Sequence, residues 1–271
     1  GEPVVNVSLF GQDVTDASLE HLKGMTSLTS LDLVNTRVTE AGLEHLKGLT
    51  NLQELCLPNS IKVTDAGLVH FNGLTSLQRL VLVNTDVTAA GLVHLKGLTS
   101  LQTLDLSNTK VTDAGLEHLN GLTSLKQLLL SNTQVTDTGL VHLKELTSLQ
   151  TLFLLNTNVS DAGLVHLKEL TSLQTLRLGT EITTAGVAVL QSALPKCSIH
   201  QSKEEAVVPI KKSGGTDNFA ETTQLTKESK EAAIAAIREL GGIVTFDEKN
   251  PSRPLVGVNP HFKRVPDAGL I

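Results

Sequence analysis

Apolar residues return to the same places along most of this chain every 24 or 25 positions. Read from Leu101 the unit is LQTLDLSNTKVTDAGLEHLNGLTS, and close copies begin at Leu28, Leu52, Leu77, Leu125, Leu149 and Leu173. A degenerate copy runs into Val7-Ser8-Leu9. Two periods alternate inside each unit. Leu31-Asp32-Leu33 alternates apolar and polar, which predicts a short strand with Leu28, Leu31 and Leu33 facing inward. Leu43, Leu46 and Leu49 are spaced to cover one side of a short helix. Thr39 stands where that helix needs an N-cap, a role for which its hydroxyl oxygen suits it. Thr15, Thr64, Thr88, Thr112, Thr136, Ser160 and Thr183 hold the same place.

A strand and a helix of this size cannot bury their apolar faces alone, so successive units must stack. The prediction is an α/β solenoid: a curved right-handed stack with a parallel sheet on the concave face and short helices on the convex face. Gly42, Gly67, Gly91, Gly115, Gly139, Gly163 and Gly186 recur early in the helices, although Gly weakens a helix. Close approach between neighbouring helices is the expected reason. The pattern L-x-x-L-x-L-x-x-(N/T)-x-(V/L) resembles the leucine-rich repeat signature, and VTDAGLxHLKGLTSLQ is similar to its short bacterial type. The resemblance spans roughly residues 5–200 and implies a non-catalytic protein-binding scaffold. One departure is that Thr36, Thr85, Thr109, Thr133 and Thr157 replace the usual buried Asn, with Gln12 and Ser60 at the edges. Each hydroxyl is expected to serve the loop backbone of the next layer. The Asn column (Asn35, Asn59, Asn84, Asn108, Asn132, Asn156) is expected to form turns.

The units predict an array of about eight repeats over 1–200, the last a terminating cap that ends in Pro195 and a strand-like Ser198-Ile199. Residues 201–228 lose the period and become polar, as a linker does. Ser229–Leu240 reads as an amphipathic helix stopped by Gly241-Gly242, followed by a strand candidate from Ile243 to Asp247. Pro254, Val256, Val258, Val265, Asp267, Ala268 and Leu270 match Pro3, Val5, Val7, Val14, Asp16, Ala17 and Leu19 at a shift of 251. Residues 229–271 therefore resemble the N-terminal cap and opening of a second, truncated array. A further expectation is that this tail folds back on the end marked by Val5 and Val7.

Composition narrows the function classes. The chain has no Tyr or Trp and six Phe, so its core is aliphatic. Its net charge of −6 lies wholly in 1–200, where 12 basic residues face 18 acidic ones. An acidic array without aromatics lacks both the basic footprint and the stacking platforms of a nucleic-acid binder. Cys56 and Cys197 form neither a disulfide framework nor a metal-binding spacing. No apolar run reaches the length of a membrane span. His21, His45, His70, His94, His118, His142 and His166 recur once per unit. No acidic or Cys companion tracks them, so they read as helix consensus and not as a metal site. No nucleophile–base pair and no phosphate-binding GxxxxGK[ST] is present, which predicts no enzyme activity and no cofactor.

The candidate site is the concave face, where outward strand positions are free to vary. Val34, Cys56, Pro58, Val81 and Val83 are expected to form one solvent-facing apolar stretch, and Leu129, Phe153 and Leu155 another. Asp32 and Asp105 supply acid, and Arg177 closes the far edge. Apolar patches flanked by charge mark interaction surfaces, so these positions predict contact with a protein partner. The alternatives are a structural spacer or cell-surface array without one ligand, and a regulatory arm of a larger multidomain enzyme.

Overall fold

The computed structural model describes residues 4–60, 62–201 and 243–246. Nine strands run parallel in chain order: β1 (Val4–Ser8), β2 (Ser30–Asp32), β3 (Glu54–Cys56), β4 (Arg79–Val81), β5 (Thr103–Asp105), β6 (Gln127–Leu129), β7 (Thr151–Leu154), β8 (Thr175–Leu178) and β9 (Ser198–Gln201). The sheet stays open. Its register never slips from β2 to β9: Leu31, Leu55, Leu80, Leu104, Leu128, Leu152, Leu176 and Ile199 lie side by side. A slip of one residue would turn these leucines to the outer face, so burial holds the register.

The return side of each coil carries a helix of about one turn: α1 (Asp16–Glu20), α2 (Glu40–Leu43), α3 (Asp65–Leu68), α4 (Asp113–Leu116) and α5 (Asp137–Leu140). From α2 to α5 each helix tightens into a 3-10 turn, and Gly91–Leu95 and Gly163–Leu167 are 3-10 throughout. The tighter winding suits coils stacked at the spacing of adjacent strands, about 4.8 Å. The last helix, α6 (Thr184–Ala193), is ten residues long and leads through buried Leu194 and Cys197 into β9, which gives the array its terminating turn. Between sheet and helices lies a single aliphatic interior. Leu31, Leu33, Val38, Leu43, Leu46, Leu49 and Leu52 of one coil are all fully buried, and their counterparts in the coils that follow are buried too, until Val187 and Ile199 of the last coil, which are partly buried.

The turn after each strand depends on asparagine. Asn35, Asn59, Asn84, Asn108, Asn132 and Asn156 all have φ between 53° and 61°, a left-handed conformation that Asn tolerates better than most residues. Their amides also link the coils: Asn59 Nδ2 donates to Asn35 Oδ1 at 2.8 Å, and Asn156 Nδ2 to Asn132 Oδ1 at 2.9 Å. The threonines act differently from expectation. Thr36, Thr85, Thr109, Thr133 and Thr157 donate to the carbonyls of Leu33, Leu82, Leu106, Leu130 and Leu154 in their own coil. The left-handed Asn folds these five hydroxyls back over the carbonyl three residues earlier. Across coils the Asn amides bond, together with Ser60 Oγ, which donates to the Leu33 carbonyl of the preceding coil at 3.4 Å, and Gln12 Nε2, which donates to the Asn35 carbonyl of the next at 2.6 Å. The extra residue of the second full unit leaves the Asn column intact, with Asn84 Nδ2 donating to Asn59 Oδ1, and Ser60 takes the buried Thr place.

The tail reaches the first strand. Ile243–Phe246 forms β10, antiparallel to β1, with Val7 opposite Val244 and a bulge between Val4 and Asn6. The expected linker, the helix Ser229–Leu240, its Gly241-Gly242 stop and the second-array opening at 254–271 lie outside the described residues.

Candidate functional site

The strand register arranges the outward side chains in straight rows. Ser8, Asp32, Cys56, Val81, Asp105, Leu129, Phe153, Arg177 and His200 form one row. Val34, Pro58, Val83, Ser107, Ser131, Leu155 and Gly179 follow it two residues later along each coil. Thus Asp32, Val34, Cys56, Val81, Val83, Asp105, Leu129, Phe153, Leu155 and Arg177 share one face. A third row escaped the sequence reading: Ser30, Glu54, Arg79, Thr103, Gln127, Thr151, Thr175 and Ser198 are also in register. The alternation Ser30-Leu31-Asp32 was the available signal, since residues i and i+2 of a strand point the same way. This row adds Glu54, which accepts from Ser30 Oγ at 3.2 Å, and Arg79.

Exposure across the face is uneven. Asp32, Val34, Cys56, Val83, Asp105, Leu129 and Arg177 are half-buried. Val81 at 7%, Phe153 at 4% and Leu155 at 0% exposure are buried, which corrects the expectation that both apolar stretches face solvent. Arg177 explains part of this: its guanidinium lies over the Phe153 ring, 5.1 Å from the centroid, in cation–π geometry. Asp105 Oδ1 accepts from the Ser107 amide at 3.0 Å. Burial, opposed by Arg79, pushes the Cys56 thiol up to about 11, so it stays protonated at neutral pH and is a poor nucleophile.

On the helix side the structure reveals a chain of carboxylates. Asp16 accepts from the amide and the hydroxyl of Thr39 in the next coil, each at 2.7 Å. Asp65 does the same for Thr88, Asp113 for Thr136, Asp137 for Ser160 and Asp161 for Thr183. In each of these five coils the hydroxyl oxygen in turn accepts from an amide of its own first helical turn. Thr64 and Thr112, preceded by Glu40 and Ala89 at the Asp place, make no side-chain cap. The Asp takes the hydroxyl proton and so aims the oxygen at the helix N–H groups. The glycine column has the same cause: a Cβ on Gly42, Gly91, Gly139, Gly163 or Gly186 would fall on Oδ1 of Asp16, Asp65, Asp113, Asp137 or Asp161. Burial raises the Asp113 pKa, but the Thr136 hydroxyl and amide, with Thr138 and Gly139, outweigh it and hold the group below the usual carboxylate value. Asp161 is lowered by the Thr183 hydroxyl and amide. These acids, like the capping hydroxyls, are structural.

His45, His70, His94, His118, His142 and His166 sit half-buried along the helix side, and among the described residues no group of three or more His, Cys, Asp or Glu is placed to hold a metal ion. Among the described residues no helix is long and apolar enough to cross a membrane.

Parallel coils in constant register, with a leucine-lined interior and an open sheet, define a solenoid repeat protein. Residues 99–142 match the family model for leucine-rich repeats, described as two copies. This segment thus carries leucine-rich repeats, which typically mediate protein–protein contact and typically form non-catalytic scaffolds. A leucine-rich repeat protein of Leptospira interrogans with a solved structure is 21% identical, over 65% of this chain and 55% of that one, with a TM-score of 0.45. The chain thus spans little more than half that protein's length. A search of curated proteins returns no match.

Proposed function

We propose that the array is a scaffold that binds a protein partner through the outer face of its sheet. The contact row is Asp32, Cys56, Val81, Asp105, Leu129, Phe153 and Arg177, with Val34, Val83 and Leu155 beside it. The supporting observation is the register. Seven successive strands, β2 to β8, hold the row in a line of strand spacings, and none of these side chains belongs to the leucine interior between sheet and helices. Apolar groups at β3–β4 and β6–β7 alternate with acid at β2 and β5, a pattern complementary to a partner that presents apolar side chains between basic ones. The Cys56 thiol on this face is held protonated, which suits contact better than nucleophilic chemistry.

The test compares partner capture by the full chain and by two double variants. Leu129→Asp with Asp105→Lys alters the sheet face at half-buried positions; Val93→Asp with Val141→Asp alters the helix face at exposed ones. The expected result is loss of the captured protein with the first pair and retention with the second, both with unchanged circular dichroism. Retention with the sheet-face pair would move the site elsewhere.

A further inference from the structure

Charge is not spread evenly along the outer face. The acids of the strand rows, Asp32 on β2, Glu54 on β3 and Asp105 on β5, all precede β6. Arg79 stands beside Glu54 in the register, so its charge is offset within the face. Arg177 on β8 has different neighbours. Phe153 lies on one side of it and His200 on the other, and Thr175 and Ser198 stand side by side in the adjoining row. None of these four carries a negative charge, so the last strands present the cationic end of the face.

Arg177 is also held in place. Its guanidinium carbon lies 5.1 Å from the centroid of the Phe153 ring, and the side chain as a whole stays half-buried. A guanidinium set on an aromatic face presents a planar fork of N–H donors, and a carboxylate is the side-chain group that matches this fork with two parallel hydrogen bonds. Fixing the arginine beforehand lowers the ordering cost that binding would otherwise carry. His200 is exposed, with Nε2 2.8 Å from Ser198 Oγ, so a second polar ring stands one strand spacing away, about 4.8 Å.

We propose that Arg177 anchors a carboxylate of the bound partner and sets which way the partner's charges run along the array. The proposal rests on the reading of this face as the binding surface, and it names the partner's chemistry. Asp105, Leu129, Phe153 and Arg177 stand on four successive strands, so the acid and the cation are three spacings apart, about 14 Å. An extended segment laid across the strands advances about 3.4 Å per residue and turns alternate side chains to the same side. A basic side chain at its first position, an apolar one at the third and an acidic one at the fifth then meet Asp105, Leu129 and Arg177 in turn. A second base at the fifth position would be set against the guanidinium and rejected.

Peptide binding to the full chain tests this without a captured partner. The probes are two end-blocked peptides, Lys-Ser-Leu-Ser-Glu and Lys-Ser-Leu-Ser-Gln, titrated by NMR. The glutamate peptide is expected to bind about fivefold more tightly than the glutamine peptide. Arg177→Gln is expected to erase that difference, weakening the glutamate peptide about fivefold and leaving the glutamine peptide within about twofold. A merely structural role over Phe153 would weaken both peptides together. Equal affinity of the two peptides for the native chain, equal weakening of both by Arg177→Gln, or binding of neither overturns the proposal. If it falls while Leu129→Asp with Asp105→Lys still abolishes partner capture, the partner-binding reading survives alone.

Discussion

Asp16, Asp65, Asp113, Asp137 and Asp161 each do two things: they tie one coil to the next, and they orient the hydroxyl that caps the next helix. Removing one by Asp137→Ala deletes two hydrogen bonds to Ser160 and is expected to destabilise the array by about 1–2 kcal/mol. The converse change, Ala89→Asp, supplies the missing carboxylate for Thr112 and is expected to add about 0.5–1 kcal/mol. Urea unfolding reads both as opposite shifts of the midpoint. Two of these acids, Asp113 and Asp161, make stability depend on pH. Asp113 and Asp161 titrate below their ordinary value in the folded chain, so their contribution is fully present above the unfolded value of about 3.9. It is lost as pH falls through the lower folded values. The melting-temperature gap between the native chain and an Asp113→Ala, Asp161→Ala variant should therefore be constant near neutrality and close below about pH 4. A gap that persists unchanged into that range would contradict the assignment.

At the scale of the element, the helices that follow an Asp are held by their first turn and by a glycine that admits the neighbouring carboxylate. Gly163→Ala would drive its Cβ into Asp137 Oδ1 and break the Ser160 link, with an expected loss of about 1–3 kcal/mol. Gly121→Ala meets nothing within 4 Å and should stay within about 0.5 kcal/mol. Thermal melts of the two single variants compare them directly. The sequence shows why a glycine must stand at the first position, since it recurs where a helix former would be better. It does not show the partner, because the Asp lies in the preceding unit, and reading the link requires the stacking distance between coils. The threonine role was misread for a related reason. A hydroxyl can serve its own coil or the next one, and the choice depends on the left-handed Asn beside it, which is a matter of backbone geometry and not of residue type.

At the scale of the whole molecule, periodicity alone yields the stacked coils, the parallel sheet and the aliphatic interior, because burying two faces of a 24-residue unit leaves little choice. The composition of the outer face was legible for the same reason: alternation decides which side chains point out. Its exposure was not legible. The Phe153 ring is covered by Arg177 of the coil that follows, and a repeat-by-repeat reading has no term for such a contact.

The two margins of the sheet differ in a way that gives the molecule a direction. Along β1 the backbone groups are already taken by β10 and the pairing is bent by a bulge, so a new strand finds no straight row to join. Along β9, Ser198–Gln201 pairs only with β8 among the described residues and, apart from half-buried Ile199, shows its side chains to water. Among the described strands the β9 margin continues the parallel run, whereas the other margin ends in the antiparallel β10, so further parallel units would line up head to tail from the β9 side.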